Sequence, residues 1–162
     1  MPVNTPDMSN DERIDVGWRE WIALPDLALP AIKAKVDTGA RTSALHAWHV
    51  EAYESGGAPW VAFRLHPLQR NTKLSRLCHA PVHDRRMVSD SGGHRERRYV
   101  IESTMTLGTG GWPIEITLTD RDTMLFRMLL GRQAMHGLRV VPDASFLAAP
   151  SLTPKQAAAR YR

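Results

Sequence analysis

The chain has 162 residues, of which 43% are hydrophobic and 23% are charged, with one cysteine and a formal net charge of +4 at pH 7. This length and hydrophobic content predict one compact domain, and a single cysteine excludes a disulfide within the chain. No apolar stretch reaches the length of a membrane span and no secretion signal is visible at the N-terminus, so we predict a cytoplasmic protein without a membrane partner.

The first predicted elements are a leader and two strands. Residues 1–14 are polar and acidic and contain two prolines, which predicts a disordered leader before a domain at residues 15–147. Strands are predicted at residues 16–24 and 31–37. In the second strand apolar residues alternate with Lys33 and Lys35, a pattern typical of a strand with one buried face.

The second strand stops at the sequence Asp37, Thr38 and Gly39. Glycine allows a sharp turn and the threonine hydroxyl can tie that turn together, so the carboxylate is presented on a stiff support. Such rigidity suits a catalytic group. The same three residues also fit an alternative, in which the carboxylate only caps local backbone amides.

Further strands are predicted at residues 44–52, 60–65, 97–107, 112–119 and 128–130, separated by glycine-rich turns. Several short strands at such intervals indicate a barrel or a sandwich. Helical turns are predicted at residues 132–136, and the tail at 148–162 is predicted to be flexible or partly helical.

A basic segment separates two of these strands. Residues 85–98 carry five arginines around a Ser-Gly-Gly sequence, which predicts a mobile loop. Two interpretations remain open: the segment is a solvated basic loop, or it is a flap that closes over a cleft.

Three sequence blocks resemble the retropepsin-like aspartic proteases and, more closely, the bacterial RimB-like family, which is also described as ATP-dependent zinc proteases. They are residues 33–47, which contain Asp-Thr-Gly-Ala, residues 112–121, and residues 128–132, which end in Gly-Arg. The resemblance covers about residues 17–141. It implies an all-β, retropepsin-like closed β-barrel with a short C-terminal helix, whose single Asp-Thr-Gly lobe pairs as a homodimer.

The aspartic mechanism requires two close carboxylates, one to take a proton from water and one to donate a proton to the substrate. The chain contains one Asp-Thr-Gly and is too short for two lobes. We therefore predict that Asp37 is catalytic and meets its symmetry mate in a homodimer. Thr38, Gly39 and Ala40 are predicted to form the active-site turn.

The resemblance also implies structural roles for Gly131 and Arg132. Substrate-binding residues are predicted from charge and from their place after the catalytic turn or in the basic segment, and they are Arg41, Ser43, His46, Arg95 and Arg97. For Arg41, a solvated arginine is an equal alternative.

No cofactor and no metal are predicted. The sequence has no Gly-x-x-x-x-Gly-Lys-Ser/Thr loop for phosphates and no His-Glu-x-x-His pair for catalytic zinc. The nearest clusters, Cys78-His79 with His83 and His46 with His49, lack the further ligands that a zinc site needs.

These observations predict an aspartic endopeptidase acting on a peptide or protein. The resemblance adds that the substrate is glutamate-rich, because the family is associated with ATP-grasp enzymes that add glutamates to a ribosomal protein. The alternative is a non-catalytic binding module for acidic polypeptide or RNA, based on the net charge. Nucleic acid is disfavoured, because no aromatic-and-basic recognition motif is present.

Overall fold

The computed structural model describes residues 13–89, 92–120 and 125–162, and strands dominate these ranges. The all-β class predicted from sequence is confirmed. The strands are β1 Ile14–Val16, β2 Arg19–Leu24, β3 Leu29–Val36, β4 Ser43–His46, β5 Trp48–Ser55, β6 Ala58–Leu65, β7 Arg76–Pro81, β8 Asp84–Ser89, β9 Arg95–Leu107, β10 Gly110–Thr119, β11 Met128–Leu130 and β12 Leu138–Val140.

The helical elements are short. Within the described residues, two 3-10 helices lie at Pro25–Leu27 and Arg132–Ala134, and one α-helix, α1, lies at Pro154–Ala159. None of the helices in the described ranges is long and apolar enough to cross a membrane.

The largest sheet contains seven strands in the order β10-β4-β11-β3-β2-β9-β8, and β9 also pairs with β10. Within this sheet β11 lies between β3 and β4, parallel to the first and antiparallel to the second. The end of β3 and the start of β4 are therefore held at the same short strand. A three-stranded sheet, β5-β6-β7, and the parallel pair β1 and β12 complete the pairing.

The core is formed by apolar side chains from both larger sheets. In β3 the alternation predicted from sequence is observed: Ile32 and Ala34 are fully buried, whereas Lys35 is exposed. Burial of one face of each strand supplies the main stabilising free energy of such a domain. The largest fully buried side chains include Phe63, Leu24, Leu29, Leu45, Leu65, Ile101, Met105 and Met128.

Two predicted strands are each divided in the structure. The strand predicted at residues 16–24 breaks after Val16, where the amide of Gly17 donates to the Glu20 carboxylate and the amide of Trp18 donates to the carbonyl of Ala144 instead of to a neighbouring strand. The strand predicted at residues 44–52 divides at Ala47 into β4 and β5, which belong to different sheets. Neither break carries the Gly-Gly or Pro signal from which a turn is normally predicted.

Three strands, β7, β8 and β12, were not predicted. Of the two interpretations of residues 85–98, the solvated loop is replaced by paired strands, because Asp84–Ser89 and the start of β9 form an antiparallel hairpin, the form expected of a flap. Its arginines alternate between two faces, which a charged strand allows when both faces are partly solvated. Residues 90 and 91 of the predicted loop lie outside the described residues, as do residues 1–12 of the predicted leader.

The tail contains α1 and packs on the domain. Thr153 and Gln156 form a capping box at the start of the helix, and Ala157 is buried against Trp21 and Ala31. The Tyr161 hydroxyl donates a hydrogen bond to the carbonyl of Ala31.

The segment before this tail is held by Glu20, a fully buried residue of β2. One carboxylate oxygen, Oε2, accepts hydrogen bonds from the backbone amides of Gly17 at 2.7 Å and Leu147 at 2.9 Å. The other, Oε1, accepts one from the amide of Ala148 at 3.0 Å. Three backbone donors therefore satisfy a carboxylate that the fold removes from water.

We predict that Glu20→Ala destabilises the domain by roughly 3 kcal/mol, because three backbone donors lose their acceptor. Urea denaturation at pH 7 measures the free energy of unfolding. The control is Glu51→Ala, at an exposed position of β5, for which we expect a change within about 0.5 kcal/mol. Equal losses in both variants would contradict an anchoring role for Glu20.

Candidate active site

Asp37 follows β3 directly and lies in a tight turn. Its backbone amide donates to the carbonyl of Leu130 at 2.9 Å, and its own carbonyl accepts from the amide of Ala40 at 3.3 Å. Its carboxylate oxygen Oδ1 accepts from the amide of Gly39 at 3.0 Å. Two backbone contacts therefore fix the turn and one, from Gly39, reaches the carboxylate, which is the kind of rigid support that a preorganised group needs.

The residues after β11 hold this turn in place. The amide of Gly131 donates to the hydroxyl of Ser43 at 3.0 Å, and the amide of Arg132 donates to the carbonyl of Ala40 at 2.8 Å. The guanidinium of Arg132 donates to the carbonyl of Thr38 at 2.9 Å. Our assignment for Gly131 and Arg132 accordingly remains structural support of the turn.

A cleft of about 820 Å³ opens beside Asp37. Its walls come from the turn at residues 37–42, the β8–β9 hairpin, and parts of β4, β10 and β11. The lining residues are Asp37, Gly39, Ala40, Arg41, Thr42, Ala44, Arg86, Met87, Val88, Ser89, Arg98, Thr117, Thr119 and Leu129. The hairpin predicted as a loop or flap thus shares a cleft with the predicted catalytic carboxylate.

Arg86 on β8 is fully engaged by carboxylates. Its Nη1 and Nη2 atoms donate to the two carboxylate oxygens of Glu115 at 2.7 and 3.1 Å, and its Nε donates to Asp84 at 2.5 Å. The hydrogen bonds from Arg86 hold the pKa of Glu115 below its ordinary value, and those from Glu115 and then Asp84 raise the pKa of Arg86. This charge network ties the base of the hairpin to β10.

Arg98 on β9 faces the same cleft and is nearly buried, with 8% of the residue exposed. Its Nε donates to Oε1 of Glu96 at 2.5 Å, and its Nη1 contacts the hydroxyl of Thr117 at 3.4 Å. The hydroxyl of Thr119 donates to the same Glu96 oxygen at 2.7 Å. Burial raises the pKa of Glu96, but the bonds from Thr119 and Arg98 outweigh it and the pKa is lowered overall.

Of the residues predicted to bind substrate from the stretch after Asp37, only Arg41 lines the cleft, and it is exposed. Ser43 is fully buried, does not line the cleft, and its hydroxyl accepts a hydrogen bond from the amide of Gly131. His46 is also buried, contacts Arg127 and Asp120, and does not line the cleft. Substrate binding by these two residues stays a prediction.

Arg95 and Arg97 are exposed and do not line the cleft either. They pair with Ser89 and Met87 across the hairpin. Because side chains of a strand alternate between faces, they point away from the face that carries Arg98. Their partners Ser89 and Met87 do line the cleft, so contact of Arg95 and Arg97 with substrate stays a prediction.

The sequence-based list of site residues does not include Arg98, Thr117 and Thr119, which line this cleft, or Glu96, which accepts hydrogen bonds from Arg98 and Thr119. A signal was present in the period of two: Glu96, Arg98 and the buried Val100 share one face of β9. The buried face of β9 can be read from its apolar residues, and continuing the same alternation towards the N-terminus of the strand places Arg98, and not Arg97, on that face.

The possible metal ligands among the described residues do not form a zinc site. Across the three described ranges, no group of three or more His, Cys, Asp or Glu side chains could hold a metal ion. The Cys78 thiol is buried and donates to the carbonyl of Leu27, and burial raises its pKa to about 11. The neighbouring His79 contacts the hydroxyl of Tyr53. We derive no step through zinc.

A second cavity, of about 770 Å³, lies between β2 and the segment before α1. Trp21, Leu147 and Arg160 are among its lining residues. None of the predicted site residues lines this second cavity, so the cleft beside Asp37 is the candidate active site.

Comparison with known proteins places these features in context. The profile of a family described as RimB-like, retropepsin-like aspartic endopeptidase RimB, matches residues 15–150. A crystal structure of a Legionella pneumophila protein of unknown function is similar with a TM-score of 0.67 and 27% identity, covering 86% of this chain and 99% of that one.

Curated relatives carry a different description. Proteins named probable alpha-L-glutamate ligase from Shewanella pealeana and Parasynechococcus marenigrum are 48% and 49% identical over 138 and 131 residues, which are 85% and 81% of this chain. The matches cover 30% and 28% of those proteins. The chain thus spans less than a third of the length of the curated relatives it matches.

We predict that Glu115→Gln costs about 1 kcal/mol of stability at neutral pH, a modest value because the contact with Arg86 is partly exposed. A carboxylate with a lowered pKa stabilises the fold above its ordinary pKa, here 4.5, and that contribution is lost as pH falls through the lower, folded-state value. The difference in unfolding free energy between wild type and variant should therefore shrink steadily below about pH 4.5. A difference that stays constant down to the acid limit would contradict the ion pair as its cause.

Proposed function

This chain belongs to the RimB-like family of retropepsin-like aspartic endopeptidases, and we propose that it hydrolyses peptide bonds with a water molecule activated by two Asp37 carboxylates across a homodimer. The observation that carries this proposal is the fixed position of Asp37 at the edge of the cleft. Backbone contacts hold its carboxylate on a strand-end turn beside a space large enough for a peptide.

The turn is suited to meeting a second copy. Thr38 and Gly39 are exposed, so a symmetry-related turn can approach them without unfolding of the subunit. A two-fold axis near Gly39 would bring the two Asp37 side chains together. In that arrangement Thr38 would brace the paired turns through its hydroxyl.

The chemistry follows from like charges at close range. Two adjacent carboxylates cannot both ionise readily, so the pair shares one proton in its active form. The ionised member takes a proton from water as the water attacks the substrate carbonyl, and the protonated member donates its proton to the carbonyl oxygen. The carboxyl that took the proton from water then gives it to the leaving nitrogen as the C–N bond breaks. The other carboxylate recovers a proton from the gem-diol hydroxyl, which restores the shared proton of the pair.

Two further features support the proposed architecture. Pairing of β9 with β10, in addition to the linear order of the seven strands, supports the closed-barrel arrangement. The β8–β9 hairpin lines the cleft opposite the catalytic turn, which supports its role as a flap. A flap would exclude water other than the attacking molecule from the cleft.

For the substrate we propose a glutamate-rich peptide or protein tail. The curated relatives that contain a segment similar to this chain are named probable alpha-L-glutamate ligase, and arginines line the cleft. A peptidase similar to a segment of glutamate-adding proteins would act on the bonds or tails that such proteins produce. Arg41 and Arg98 would attract and hold acidic side chains.

A second candidate is a non-catalytic module that binds acidic polypeptide. The exposed hairpin arginines Arg85, Arg95 and Arg97 favour this candidate, because they are not among the lining residues of the cleft and still attract polyanions. The two candidates differ in one respect: binding alone does not need the Asp37 carboxylate. RNA remains the less favoured ligand of such a module.

We predict that Asp37→Asn lowers peptide hydrolysis about 100-fold or more while the fold is kept, because the amide cannot accept the proton from water. Cleavage of an acidic peptide library is followed by mass spectrometry with a chelator present, and circular dichroism checks the fold. The control is Asp143→Asn at an exposed position. Retained activity in D37N, or wild-type activity that chelation removes and zinc restores, would refute the aspartic mechanism.

We also predict that activity depends on dimer formation, because each subunit supplies half of the catalytic pair. Below the dimer dissociation constant the rate should fall about fourfold for each twofold dilution of protein. Analytical ultracentrifugation at the same concentrations measures the dimer fraction. An active monomer would remove the symmetric pair from the mechanism.

A further inference from the structure

Arg98 differs from the other charged residues of the hairpin in where its charge lies. It is almost buried, yet it lines the same cleft as Asp37. A guanidinium in a partly desolvated cleft attracts a carboxylate more strongly than one on an open surface, because the local dielectric constant is lower. Burying a cation in this way costs free energy unless partners compensate it.

The partners of Arg98 leave part of the guanidinium available. Among the described residues its hydrogen bonds use Nε, to Glu96, and Nη1, to Thr117 at a long 3.4 Å. Nη2 has no such partner in these ranges. Arg86, its neighbour across the hairpin, is different because all three of its nitrogens donate to Glu115 and Asp84. Of the two hairpin arginines that line the cleft, Arg98 therefore has the free donor capacity.

We propose that Arg98 is a specificity-determining residue that binds the side-chain carboxylate of a glutamate in the substrate. The inference rests on the proposed function, and it assigns the preference for acidic substrate mainly to one residue. The Nη1 and Nη2 atoms would donate to the two oxygens of the incoming carboxylate, in the bidentate geometry that guanidinium groups favour. Nη1 gives up only its weak contact with Thr117 in this step.

Glu96 has a defined part in this arrangement. In the free protein its carboxylate neutralises the buried cation through Nε, and Thr119 keeps that carboxylate in place. The Nε bond does not have to break when the substrate carboxylate binds the other side of the guanidinium. Glu96 would therefore orient Arg98 and at the same time moderate its attraction for acidic substrate.

The experiment compares two peptides that differ only by glutamate or glutamine at each acidic position, with kcat/KM measured for both. We expect wild type to favour the glutamate peptide on the order of tenfold, and Arg98→Gln to reduce this ratio to about twofold or less. Arg98→Lys should keep part of the preference, because it keeps the charge but loses the bidentate geometry. A ratio that R98Q leaves unchanged would overturn the proposal, as would a wild type without preference.

Arg97→Gln is the matched control. It removes the same charge from the adjacent position of β9, whose side chain faces away from Arg98. We expect it to change the ratio less than about twofold, through long-range attraction alone. An effect equal to that of R98Q would assign the selectivity to overall hairpin charge and would overturn the specific role of Arg98.

Glu96→Gln tests the pair in the opposite direction. Loss of the neutralising charge should increase the preference for the glutamate peptide, because Arg98 is then less compensated. If the Arg98–Glu96 pair only stabilises the hairpin, E96Q should instead lower the preference as R98Q does. That result would overturn the proposal even if R98Q folds poorly.

Binding measurements separate this inference from the proposed function. Calorimetric titration of both peptides into D37N and into D37N with R98Q measures carboxylate recognition without catalysis. If wild type cleaves neither peptide but D37N prefers glutamate and the double variant does not, the peptidase proposal fails and the role of Arg98 stands. If wild type cleaves both equally and D37N binds both equally, the role of Arg98 fails and the peptidase proposal stands.

Discussion

The candidate site depends on how closely two backbone segments meet at Gly131. A Cβ atom at this position would lie 2.6 Å from the carbonyl carbon and 2.8 Å from the carbonyl oxygen of Thr42. Backbone atoms cannot move aside as a flexible side chain can, so only glycine allows the contact. This close approach lets the Gly131 amide donate a hydrogen bond to the hydroxyl of Ser43 and the Arg132 amide donate one to the carbonyl of Ala40. The position of Asp37 therefore follows from a packing limit some ninety residues away along the chain.

Gln133 connects the turn at Asp37 to the hairpin through hydrogen bonds. Its backbone amide donates to the carbonyl of Arg41, and its side-chain oxygen accepts from the amide of Glu115 at 3.0 Å. Glu115 in turn binds Arg86 of the hairpin with both carboxylate oxygens. One chain of hydrogen bonds thus joins the two walls of the cleft, so a change at the hairpin base can alter the turn without touching Asp37 directly.

Much of the fold could be predicted from sequence where local pattern and tertiary environment agree. The alternation in β3 and the turn at Asp37 are examples, since both depend on residues close together in the chain. Ser43 and His46 show why the rest could not. They were assigned to substrate because they follow Asp37 closely, but β4 runs into the core between β10 and β11. Proximity along the chain does not carry over to the cleft when a buried strand intervenes.

The Glu20 anchor has a consequence for how this sequence can change in evolution. All three of its donors are backbone amides, which every residue except proline supplies. Side chains at 147 and 148 can therefore drift without loss of these bonds, whereas position 20 requires a carboxylate of this length. Among homologues we expect an invariant acidic residue facing a variable segment, in which proline is the one residue excluded at both amide positions. Position 20 and positions 147 and 148 would then show no covariation, although they are joined by hydrogen bonds.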